Sequence, residues 1–151
     1  MHILPLYASI LTLLFFYLSI KTIGLRRKLQ IGIGANDNQE MLRAMRVHSN
    51  FAEYTPLSLF LIYLVEIEGG APLFVHALGI CLVLGRSIHA YGVSQINEKF
   101  VFRVSGMAMT FTTLLTASAF LMYKFFTTWA TKYFYCVAAT DPAFYKGFLR
   151  I

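Results

Sequence analysis

Residues Arg43 to Pro56 read RAMRVHSNFAEYTP and run directly into the apolar stretch Leu57 to Val65, LSLFLIYLV. A single helix over both segments carries Arg43, Arg46, His48, Asn50, Glu53 and Tyr54 toward a membrane and partly into it. Charged and amide groups at that depth are costly, and they persist where they pair with one another or serve a site. At 100° per residue, Arg43, Arg46, Asn50, Glu53 and Tyr54 fall within a stripe roughly 100° wide. His48 falls about 140° from Arg43 and so faces another surface, such as a neighbouring chain.

The surrounding chain is of the class this segment implies. Of its 151 residues 58% are hydrophobic and 13% charged, whereas soluble domains average roughly 45–50% and about 25%. The expected class is an all-α membrane protein in one domain. The net charge of +6 does not point to nucleic acid, because the basic residues flank apolar segments and no basic patch with stacking aromatics forms. Cys81 and Cys136 lack metal-site or redox spacing.

Outward from the segment, the pattern predicts four transmembrane helices over about 4–25, 39–67, 72–92 and 104–126, forming one unit over 1–126. The first apolar run, Leu4 to Ile23, is long enough to cross a hydrocarbon core of roughly 30 Å. It has no basic leader or small-residue cleavage site and reads as a retained helix. Asp37 with Glu40 resembles a capping box that starts the second helix. Counting back about 20 residues from Glu66 puts the membrane boundary near Arg46 and Glu53 roughly 10 Å deeper. Gly69, Gly70 and Pro72 form the next turn, Gly92 is a plausible stop for the third helix, and Arg103 stands at the mouth of the fourth. Residues 127–151 read as an aromatic interfacial tail, with a break at Asp141–Pro142.

Lysine and arginine are concentrated in the first and third loops, which places those loops in the cytoplasm and both termini outside. An even number of spans brings Arg26, Arg27, Arg43, Arg46, Asn50, Glu53, Arg86, His89 and Arg103 to one membrane face. Arg26, Arg27 and Lys28 also serve as positive-inside anchors, and an Arg86–Glu53 ion pair is the structural alternative to a ligand site. The excess of guanidinium over carboxylate favours an anionic ligand, since arginine forks grip carboxylates by paired hydrogen bonds.

The run Arg43-x-x-Arg46-x-His48-x-Asn50-x-x-Glu53-Tyr54-x-Pro56 resembles the second-helix signature of the MAPEG family, the membrane-associated proteins in eicosanoid and glutathione metabolism. The element Gly85 to Gly92, GRSIHAYG, is similar to that of its small bacterial inner-membrane branch. The resemblance implies a four-helix bundle assembled as a homotrimer, with glutathione as co-substrate between subunits. It assigns Arg46, Asn50, Glu53, Tyr54, Arg86 and His89 to one subunit's share of the glutathione site, and Arg27 and His48 to the neighbour's. It assigns Arg103 to activation of the thiol. A guanidinium stabilises the thiolate, which is the nucleophile, and the thiolate attacks an electrophilic lipid or reduces a lipid hydroperoxide. At His89 and Val93 the leukotriene-synthase-like members carry tyrosines, and the loop before Arg103 is a few residues longer than theirs.

The expected function is therefore a membrane-bound, glutathione-dependent transferase or peroxidase acting on hydrophobic or lipid electrophiles. Its expected partners are glutathione, membrane lipids and copies of itself, with no metal and no nucleic acid. The alternative is a non-catalytic protein of the same fold that binds an anionic lipid or metabolite. A haem or metal site at His48 and His89 is disfavoured by the surrounding arginines.

Overall fold

A computed structural model describes residues 2–97 and 99–140, with side chains through Tyr133. Four helices follow in order: α1 (Leu4–Leu29), α2 (Gln39–Ile67), α3 (Pro72–Ser94) and α4 (Phe100–Thr140). By length and composition α1, α3 and α4 can each cross a membrane. The 29-residue α2 is equally long but polar over its first half. The architecture is a bundle of antiparallel neighbours. α3 packs on α2 and α4, α1 lies against α2 and α3, and α1 makes no contact with α4 among the described residues.

The residues that start and stop these helices differ in part from the sequence expectation. α2 begins where predicted, but its cap is Asn38, whose side chain accepts from the Met41 N–H at 2.9 Å. Asp37 sits in the left-handed region at φ 57°, and an N-cap needs the extended backbone that Asn38 supplies. α1 continues through Arg26, Arg27 and Lys28 to Leu29, ending at Gln30 in the left-handed conformation. α3 passes through Gly92 and stops at Ser94. Gly92 serves packing instead, since a Cβ there would meet the Arg103 backbone nitrogen at 2.9 Å.

α4 starts at Phe100, four residues before the expected position, and continues past Phe126 to Thr140. The stretch expected as an interfacial tail thus begins as helix. At 1.5 Å per residue, a 41-residue helix is about 60 Å long, roughly twice the hydrocarbon thickness, so one end stands clear of it. The Asp141–Pro142 break and the rest of the tail to Ile151 lie outside the described residues, as does the side chain of Cys136.

The core is a column of aliphatic side chains, among them Leu11, Ile62, Val65, Val75 and Leu82. Three of its buried hydroxyls bond within their own helices: Ser58 donates to the Tyr54 carbonyl, Thr110 to Gly106 and Thr113 to Met109, while the Thr55 hydroxyl has no partner among the described residues. The three bonds satisfy polar groups where no water is at hand. Two other contacts hold the end of the bundle where α1 begins. The Glu66 carboxylate accepts the backbone N–H groups of Ile3 and Leu4, capping α1 from α2. The Tyr7 hydroxyl is paired with His76 Nδ1 at 2.7 Å.

A cationic cavity at the α2–α3–α4 end

Two glycines bring α3 and α4 together at the other end. A Cβ on Gly106 would stand 2.5 Å from the His89 backbone nitrogen and 2.7 Å from the Gly85 carbonyl oxygen. Only hydrogen fits there, and the closeness places His89 beside the first turn of α4. His89 Nδ1 lies 3.1 Å from the Arg103 carbonyl oxygen, a distance at which Nδ1 carries the proton and donates.

The resulting cavity, about 600 Å³, is lined from α2 by Gln39, Leu42, Arg43, Arg46, Ser49, Asn50 and Glu53. His89 and Val93 of α3 and Arg103 and Met107 of α4 complete it. That volume lies within the range of small-molecule sites, roughly 300–1,000 Å³. Among the described residues, three guanidinium groups and one carboxylate share the lining. Arg46 and Glu53 are exposed and make no hydrogen bond or ion pair among the described residues. Arg43 donates to the Val93 carbonyl at 3.2 Å, tying α2 to the last turn of α3.

Arg86 is not on the cavity wall but behind it, 1% exposed. Its Nη1 donates to the Asn50 side-chain oxygen at 3.0 Å and to the Asn50 backbone carbonyl at 3.3 Å, and Nη2 reaches Met107 Sδ at 3.7 Å. The guanidinium carbon lies 5.8 Å from the centre of the Tyr54 ring, within cation–π range. The ion pair with Glu53 weighed from sequence is absent among the described residues, because Glu53 points into the cavity while Arg86 is turned to Asn50. Nε of Arg86 has no partner among the described residues. Arg86 thus locks the Asn50 amide by its oxygen and leaves the NH2 end to the cavity.

His48 and Arg27 lie elsewhere. His48 faces α1, stacked on Phe15 with ring centres 4.8 Å apart and with Nε2 3.0 Å from Ser19 Oγ. Ser19 already donates its single proton to the Phe15 carbonyl. Nε2 must therefore be the donor, and Nδ1 of His48 remains an acceptor. Arg27 is exposed in a shallow hollow with Ile23, Gln30 and Gly32 at the end of α1. Of the residues singled out from sequence, then, Arg43, Arg46, Asn50, Glu53, His89 and Arg103 share one cavity. Arg86 and Tyr54 back it, and Arg27 and His48 do not reach it. Ser49, Met107 and Gln39 were missed. Met107 was within reach of reasoning, being one helical turn beyond Arg103.

Residues 4–123 match the model of the MAPEG family. The chain belongs to the MAPEG family. It is also 34% identical, over 110 residues, to the inner membrane protein YecN of Escherichia coli K12, covering 73% of this chain and 82% of that one. The same values hold for YecN of Escherichia coli O6:H1. This MAPEG protein therefore falls in the YecN-like branch. With its apolar helices, it is an integral inner-membrane protein.

Proposed function

We propose that the cavity of this MAPEG protein binds glutathione and activates its thiol for attack on a hydrophobic electrophile or reduction of a lipid hydroperoxide. The observation that carries the reading is the lining itself, three arginines and one exposed glutamate around one small-molecule cavity. The tripeptide has complementary charges, two carboxylates for the arginines and one ammonium for Glu53. The Asn50 amide, fixed by Arg86, donates to a ligand carbonyl. Arg103 is the candidate for stabilising the thiolate. The apolar second substrate approaches from the lipid. Arg27 and His48, which lie off the cavity of their own chain, supply the neighbour's share of the site in a homotrimer.

Calorimetric titration of the detergent-purified protein with glutathione, followed by stopped-flow absorbance of the thiolate, tests this. Wild type is expected to bind and ionise glutathione near neutral pH, and Arg103→Ala to bind it without ionising it. Failure of wild type to bind, or normal ionisation by the variant, removes the catalytic assignment. A second reading rests on the exposure of the Arg103 side chain, since a guanidinium in water stabilises a thiolate weakly. On that reading the cavity holds an anionic metabolite or lipid without turnover, and native mass spectrometry would find such an anion there in place of glutathione.

A further inference from the structure

The opposite end of the bundle carries a second concavity, built from the last turns of α2 and the part of α4 that leaves the membrane. It encloses about 410 Å³. Its floor is apolar, with Leu64, Leu121 and Phe125, and its rim carries Glu68, Lys124 and Lys132. No ion pair joins these three charges among the described residues. The Lys124 ammonium lies 6.0 Å from the centre of the Phe120 ring, and Glu68 and Lys132 are exposed. The rim is thus two cations and one anion around a greasy floor.

Its depth is set by counting. Lys124 follows Arg103 by about 30 Å along α4, one hydrocarbon thickness. Lys124 therefore stands where acyl chains meet headgroups, and Lys132 stands about 12 Å farther out. Side chains on a helix lean toward its N-terminus, so Lys132 reaches back toward the membrane surface. Trp129 lines the same concavity at the level where indoles settle in membranes.

We propose that this cleft is a phospholipid site that selects a phosphoethanolamine headgroup. Lys124 and Lys132 take the phosphodiester, Glu68 takes the ammonium, and one acyl chain lies along Leu64, Leu121 and Phe125. Charge complementarity selects this lipid over phosphoglycerol, whose neutral hydroxyls leave the Glu68 carboxylate without a counter-charge. The site is independent of the arginine cavity.

The test is native mass spectrometry of the purified full-length protein after exchange into mixed micelles holding equal phosphatidylethanolamine and phosphatidylglycerol. Wild type is expected to retain phosphatidylethanolamine preferentially. The double variant Lys124→Gln, Lys132→Gln should lose bound lipid about a hundredfold, about tenfold for each charge-assisted contact removed. Glu68→Gln should still bind phospholipid but with its preference shifted about tenfold toward phosphatidylglycerol. Unchanged melting by circular dichroism establishes that the variants are folded. Equal lipid complements in wild type and variants, wild-type preference for phosphatidylglycerol, or a cleft that cross-links to a second copy and holds no lipid would overturn the proposal.

Discussion

Arg86 and Arg46 carry the same charge and have opposite expected consequences. Arg86 is enclosed by Asn50, Met107 and Tyr54, so Arg86→Ala leaves a void and an unpaired amide oxygen. That should lower stability by roughly 2–4 kcal/mol, read as an earlier thermal transition in detergent. Arg46 lies on the open wall. Arg46→Gln should leave stability within about 0.5 kcal/mol while weakening glutathione binding about tenfold in calorimetry. Parallel losses of stability in both variants would mean that Arg46 is structural too. The sequence placed both residues at one membrane end but could not separate them. Which guanidinium is buried depends on a contact 36 positions away along the chain, and nearest-charge reasoning pointed to Glu53 instead of Asn50.

The elements were legible wherever local chemistry marks a boundary. The Ala35–Asn38 loop and the Gly69–Gly70 turn bracket α2, and its limits match the sequence reading. The fourth helix was misjudged at both ends because the span-length rule reports where apolarity ends, and a helix can continue into water. Cap identity was off by one position because Asp37 and Asn38 both carry the needed oxygen, and only backbone conformation separates them. Asn38→Ala should therefore cost about 1 kcal/mol and speed hydrogen exchange at the Met41 amide, while Asp37→Ala, although strained in the left-handed region, should leave the Met41 amide protected. At the α3–α4 crossing, Gly106→Ala forces backbone apart and should cost about 1–3 kcal/mol. Gly24→Ala is the control, since its Cβ meets nothing and the change reduces only unfolded-chain freedom. Thermal melts of the two variants should move in opposite directions.

For the molecule as a whole, the two ends have different characters: an arginine-lined cavity where α2 begins, and a lysine-rimmed cleft where α2 ends. The positive-inside expectation places the cavity in the cytoplasm. A cysteine introduced at Gly32, where a side chain meets nothing, in a cysteine-free background should then resist an impermeant thiol reagent in intact cells and react in opened ones. The lack of contact between α1 and α4 has a consequence for biosynthesis. The first three helices leave the ribosome able to dock on one another, but they leave Arg86 without Met107 beside it and without α4 over it. Until the last helix arrives, a guanidinium faces lipid, a costly exposure. A chain truncated before Phe100 should therefore be cleared rapidly by membrane proteases, and Arg86→Leu in the same truncation should lengthen its half-life. The buried arginine would then act as a completion mark, hidden only when synthesis has run far enough to close the cavity.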